Sequence, residues 1–129
     1  MKRVKFAKID KQAPLIVVPA KVNSLGRLRF LLDTGATHSC VTPQLVERLG
    51  VYSHGNAMAL GAGGTMNLEL VRIDSLEVGG AVVKRLTMAI VNVDHVSKLT
   101  RRIDGVLGND FMKRFKVTID YAKATVTFA

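Results

Sequence analysis

The sequence predicts an all-β fold with one or two short helices. Three observations carry that expectation. Val, Leu, Ile and Thr are plentiful, while aromatic residues make up 5% of the chain and Trp is absent; such a mix favours strands. Eleven glycines punctuate short apolar runs, the texture of a small β domain. Several of those runs face each other across short turn signals, as hairpin strands do. At 129 residues, nearly half of them hydrophobic, the chain suits one domain spanning 1–129 with a real core. No repeat, linker or low-complexity stretch divides it.

Taken in order, Val4, Phe6 and Ile9 alternate weakly and suggest a first strand over 4–9. Residues 15–22 and 27–32 make a hairpin across Asn23-Ser24-Leu25-Gly26, with Pro19 interrupting the first strand at an edge or bulge. Ser39–Thr42 reads as a short strand. Thr42 is a good helix cap and Pro43 a good first helical residue. Leu45, Val46 and Leu49 share one face of that helix, and Gly50 ends it. Asn56–Leu60 and Thr65–Leu70 flank the glycine-rich tip Gly61-Ala62-Gly63-Gly64. Val71–Val78 and Ala81–Val93 form a further hairpin through Gly79-Gly80, and 94–102 is a polar loop or helical turn. After Ile103–Gly108, Asn109 is placed to cap a short helix with Asp110 at its N-terminus and Phe111 and Phe115 on one face. Lys116–Tyr121 and Ala124–Phe128 close the chain as two strands.

Composition excludes several functions. Cys40 is the only cysteine, so an internal disulfide framework and a multi-cysteine metal site are ruled out; a small buried hydrophobe is expected. No apolar run is long enough for a signal or membrane segment, since Leu15–Val18 stops at Pro19. The chain reads as soluble as given, cytoplasmic if complete, and periplasmic or membrane-tethered if excised from a longer protein. The net charge of +9 favours anionic partners. Lys and Arg are scattered, however, without aromatic interleaving, which argues against specific nucleic-acid binding.

The chemistry points to Phe30-Leu31-Leu32-Asp33-Thr34-Gly35-Ala36-Thr37. An apolar run carries one carboxylate into a tight turn, where Gly35 is expected to supply a conformation that a Cβ would resist. Such an Asp is costly unless it is hydrogen-bonded, paired or put to work. Two carboxylates at short range share a proton and act together as acid and base on a carbonyl and a water. One Asp-Thr-Gly per chain supplies half of that pair, and a two-fold dimer supplies the other half. Asp104, before Gly105, reads as a turn residue, Asp110 as a helix N-terminal charge, and His38 as an exposed loop residue.

Asp33-Thr34-Gly35-Ala36 after an apolar run, a Gly-tipped hairpin, then Val106-Leu107-Gly108 before a short helix resembles the retropepsins, the single-lobed aspartic proteases, and in particular their bacterial relatives. The resemblance covers about residues 13–128. It implies a closed retropepsin-like (acid protease) barrel and a homodimer with the cleft at its interface. It implies an aspartic endopeptidase acting on extended peptides, with no cofactor and no metal. Asp33 would be catalytic. Thr34, Gly35 and Ala36 would shape the active-site loop, Gly61, Ala62, Gly63 and Gly64 would form a substrate-binding flap tip, and Val106, Leu107 and Gly108 would support the loop from beneath. Ala57, Met58, Leu60, Ala62, Met66, Ile90 and Val106 are candidate pocket residues. Ala36 offers no hydroxyl to the loop carboxylate, so a mildly acidic to near-neutral working range is expected. The competing readings are a catalytically silent binding or dimerisation module of the same fold and a basic nucleic-acid-associated domain.

Overall fold

The computed structural model describes residues 2–8, 15–61, 64–98 and 101–129. The chain starts with β1 (Lys2–Lys5) and β2 (Ala7–Lys8). One strand was expected here. Phe6 divides it by turning into the core, and its N–H donates to the Ala124 carbonyl at 2.9 Å. Ile9 lies outside the described residues.

β3 (Ile16–Val22) and β4 (Leu25–Leu32) form a hairpin whose turn is only Asn23-Ser24. Both turn residues have positive φ, 49° and 69°, which matches the twist of a tight hairpin. Asn23 holds that geometry from outside the hairpin: its Oδ1 accepts from Asp74 N at 2.7 Å and Ser75 N at 3.2 Å. The turn is therefore shorter than the four residues expected.

β5 (Cys40–Val41) leads into α1 (Pro43–Leu49), which begins and ends on the residues the sequence marks. The Thr42 hydroxyl accepts the Leu45 N–H at 3.2 Å, and Gly50 caps the C-terminus with φ 67°. Leu45 is fully buried, with Val46 and Leu49 packed against the core.

β6 (Gly55–Gly61), β7 (Gly64–Val78) and β8 (Ala81–Ile90) follow. β7 is one strand of 15 residues, where two were expected. It pairs with β6 as far as Leu70 and with β8 from Leu70 onward. At the change of partner the apolar set passes from Leu68 and Leu70, which line a cleft, to Val71 and Ile73, in the core, and that shift of alternation reads in sequence as a break between two strands. The inward set slips once, from Val71 and Ile73 to Leu76 and Val78, at the two amides held by Asn23. Pro19 does not interrupt β3. It faces Arg29 on one side, and on the other it falls between the pairings of β2 with Ile16–Val17 and of β7 with Lys21–Val22. No ladder bond is asked of its missing N–H there.

The last elements are α2 (Asp94–Ser97), β9 (Gly105–Leu107), α3 (Asn109–Met112), β10 (Val117–Asp120) and β11 (Thr125–Phe128). Gly108, not Asn109, occupies the cap position of α3, and no side chain caps it. The Asn109 N–H is drawn instead to the Ala36 carbonyl at 2.8 Å. Phe115 lies beyond the helix, yet its ring stays 5.3 Å from Phe111.

Among the described residues the strands form two sheets. One has the order β1-β11-β10. The other runs β2-β3-β4-β9-β5-β8-β7-β6 and closes on itself through a β3–β7 pairing. The main core fills the space between them, with Leu28, Phe30, Ile73, Met88, Phe111 and Phe128 almost wholly buried. The fold is all-β, as the composition predicts. The placement that matters for function is β9. It lies between β4, to which it is parallel, and β5, to which it is antiparallel.

Candidate active site

The loop 33–39 leaves β4 and returns as β5, so it must pass over the end of β9. The Leu32–Leu107 register brings the Leu107 carbonyl to the loop, and Asp33 N donates to it at 3.0 Å. Ala36 N donates to the Asp33 carbonyl at 3.1 Å and closes a turn. The Gly35 N–H donates to Asp33 Oδ1 at 2.9 Å. Asp33 is exposed, as are Thr34 and Gly35, while Ala36 packs against a small cluster that includes Val17, Cys40 and Val106. The carboxylate is thus aimed by the main chain and open to a partner.

Gly35 corrects one expectation. Its φ is not in the left-handed region. What a Cβ there would meet is Asp33 Oδ1, at 3.3 Å. The residue is small so that the carboxylate can fold back onto its amide, not because the backbone demands glycine. Gly108 is the position with no room. A Cβ on it would lie 2.7 Å from the His38 carbonyl carbon and 2.9 Å from the Ala36 oxygen.

A second group of bonds fixes the far end of the loop. Ser39 is fully buried. Its N–H donates to both carboxylate oxygens of Asp110 at 2.9 Å, and its hydroxyl donates to Asp110 Oδ1 at 2.6 Å. The same hydroxyl oxygen accepts from Gly108 N at 2.8 Å. Asp110 was expected only to sit at a helix N-terminus. It also clamps α3 to the loop that carries Asp33. The signal available in the sequence was a Ser six residues after Asp33 and an Asp two after Gly108, and nothing local joins them.

Asp104, expected as a turn residue, instead leads directly into β9. It is 2% exposed. Its Oδ2 accepts from Arg29 N at 2.9 Å, and its Oδ1 lies 3.0 Å from Arg102 Nε and 3.7 Å from an Arg48 nitrogen. A buried charge is tolerated when it is paired and hydrogen-bonded in this way. It ties β4 to α1 and to the segment entering β9, and its carboxylate is committed there.

Cys40 is buried, as expected. Burial pushes its thiol up to about 11; a backbone hydrogen bond to Val106 works in the opposite sense, and the Asp110 and Asp33 carboxylates add smaller upward effects. A cleft of about 520 Å³ opens beside the loop. Thr37 and His38 line it on one side, with Ala57 and Met58 from β6, Leu68 and Leu70 from β7, and Thr87 and Ala89 from β8. His38 is exposed, as read, but it is also part of this wall. Of the residues proposed for pockets, Ala57 and Met58 meet the cleft. Ile90 packs on the main core instead, and Val106 lies in the small cluster. Gly61 and Gly64 pair at the end of the β6–β7 hairpin. Ala62 and Gly63, the middle of the expected flap tip, lie outside the described residues. Among the described residues no helix is long and apolar enough to cross a membrane.

Comparison with known proteins bears on this geometry. No curated protein matches the sequence. Among the solved structures that share the fold are three with the following likeness. A retropepsin-like aspartic protease from Rickettsia conorii is 17% identical with a TM-score of 0.64, covering 98% of this chain and 88% of its own. The retroviral protease-like domain of Ddi1 from Leishmania major is 21% identical with a TM-score of 0.59, covering 88% and 87%. The EIAV protease, solved with the inhibitor HBY-793, is 20% identical with a TM-score of 0.57, covering 81% and 91%. The sequence profile of the family described as Aspartyl protease matches residues 18–111, which takes in most of β3, all of β4, the Asp33 loop, β9 and the Asp110 clamp. The chain therefore belongs to the aspartyl protease family, and its fold is that of the retropepsin-like members.

Proposed function

We propose that residues 1–129 form one domain acting as an aspartic endopeptidase on extended polypeptides, with two copies of Asp33 meeting across a homodimer. The observation that carries this reading is the Asp33 carboxylate itself. It is exposed, oriented by Gly35 N, and set on a loop stapled at both ends, while Asp104 is enclosed by arginines and unavailable as a second acid. A proton shared by the pair leaves one oxygen to draw a proton from water and one to protonate the peptide carbonyl. The water oxygen adds to the carbonyl carbon. The tetrahedral species then collapses as the amide nitrogen takes up a proton and leaves. Thr34 would link the two loops, Gly35 would admit the substrate backbone, and the hairpin tip at 61–64 would cover it as a flap. Val106, Leu107 and Gly108 would hold the floor. A substrate strand would lie in the cleft by β-addition. No cofactor is needed.

Asp33→Asn tests this directly. Cleavage of an unfolded protein substrate should vanish while the thermal melt stays close to that of the parent. Undiminished cleavage by the variant would remove the proposal.

The silent binding module is kept as a second reading because of one observation. Both edges of β11 are paired within the chain, to β1 and β10, so this last strand is not on offer to a partner. Sedimentation separates the two readings. A chain that stays monomeric at every concentration and cuts nothing would favour the module.

A further inference from the structure

Although Lys and Arg are scattered along the sequence, four of them meet around one cleft. Along β4, Leu28, Phe30 and Leu32 are buried, so Arg27, Arg29 and Leu31 share the opposite face, which leads to Asp33. Lys5 from β1 and Arg101 from the segment before β9 join Arg27 and Arg29 around a cleft of about 290 Å³, beside Pro19 and Val17. The rim is braced by main-chain carbonyls: an Arg29 guanidinium nitrogen donates to the Arg102 carbonyl at 2.8 Å, and Arg102 donates to the Arg27 carbonyl at 3.4 Å. Burial holds the Arg29 guanidinium below its ordinary value, as does the nearby Arg101; Asp104 acts in the opposite sense and Arg102 adds to the lowering. Asp104, one carboxylate near Arg29, is enclosed and already engaged by Arg102, Arg48 and the Arg29 amide. Like charges gathered around a concave surface raise the local concentration of anions.

We propose that this cleft binds an anionic stretch of the polypeptide substrate, through carboxylate or phosphate side chains displaced from the bond that is cut. Arg29 lies four residues before Asp33 on a strand, a separation of roughly 13 Å, so the contact falls several residues along an extended substrate. The cleft is sized for side-chain anions, and its lining contains no aromatic residue on which bases could stack. The substrate assignment rests on the endopeptidase reading; the anion site does not.

A binding measurement tests the site without relying on catalysis. Fluorescein-labelled peptides of Glu, of phosphoserine-Gly repeats and of Gln are titrated with the intact protein in low and high salt, by anisotropy. At least one anionic peptide should bind about tenfold more tightly than the Gln peptide in low salt, and the difference should shrink in high salt. The triple variant Lys5→Gln, Arg27→Gln, Arg101→Gln should lose it. Equal binding of all three peptides, or undiminished preference in the triple variant, would overturn the proposal. Tighter capture of a single-stranded oligonucleotide than of either anionic peptide, lost in the same variant, would overturn the polypeptide assignment. Appending the anionic stretch to a cleaved peptide should lower KM with kcat unchanged. Absence of cleavage from every peptide, with anion binding intact, would count against the endopeptidase and leave the site standing.

Discussion

Asp110 holds the loop that presents Asp33, and its two oxygens take three donors from Ser39 and its own neighbour Phe111. Removing the carboxylate leaves the buried Ser39 amide without an acceptor, a loss of about 1.5–3 kcal/mol for bonds to a charged group. Asp110→Ala should also cut kcat at least tenfold, because the displaced loop carries Asp33, and should raise KM as well, because Thr37 and His38 of the same loop line the cleft. Asp110→Asn should recover part of the rate, since the amide oxygen still accepts. An unchanged kcat in the alanine variant would make the clamp purely structural. Cys40 gives a separate test. Above the ordinary thiol value of 9.0 an unfolded chain releases its proton, while the folded chain keeps it up to about 11. The unfolded state then binds fewer protons, so stability falls as pH rises through that window, by on the order of 2 kcal/mol. Denaturant midpoints at pH values across it should fall, and Cys40→Ala should flatten the slope. At this scale Asp33 was legible because an apolar run ending in Asp-Thr-Gly has few ordinary explanations. Asp104 was not, because Asp-Gly has a common one and its arginine partners lie far away in sequence.

At the scale of elements, α1 was legible from end to end, since Thr42, Pro43, Leu45 and Gly50 each act locally. β7 was not, because its two pairings change over at Leu70, where the apolar set passes from Leu68 and Leu70 to Val71 and Ile73 and looks like a boundary between strands. The α3 cap was misread for a related reason: the Asn109 amide is claimed by Ala36, which only the tertiary fold brings near. The insertion of β9 between β4 and β5 is likewise non-local, though its glycines hint at it. A Cβ on Gly105 would strike the Cys40 carbonyl and the Phe30 ring, as close packing of three strands requires. Gly108→Ala should destabilise the fold by roughly 2 kcal/mol and lower activity as well, since the carbonyls it would strike belong to His38 and Ala36 of the loop itself. Thermal melts paired with cleavage assays check both. A melt unchanged from the parent would mean that the loop can yield at no cost.

For the whole molecule, the closed sheet was readable only in outline. Composition and turns pointed to β structure, and the motif order pointed to the family. The ring closure between β3 and β7 and the basic face of β4 come from pairings that no stretch of sequence announces. A dimer of the kind proposed should show specific activity that climbs with enzyme concentration and reaches a plateau. Progress curves over a dilution series check this. A flat specific activity from a sedimenting monomer would contradict it.

The terminal sheet decides how such a dimer behaves. β11 is flanked on both sides by its own chain, and Phe128 is anchored in its own core. A molecule whose last strand is already paired on both sides cannot lend that strand to a neighbour, so the proposed pair would lean more on the loop where the work is done. Each copy would then be an inert half held in reserve. Abundance, or a scaffold that crowds copies together, would act as the trigger, and dilution as the brake.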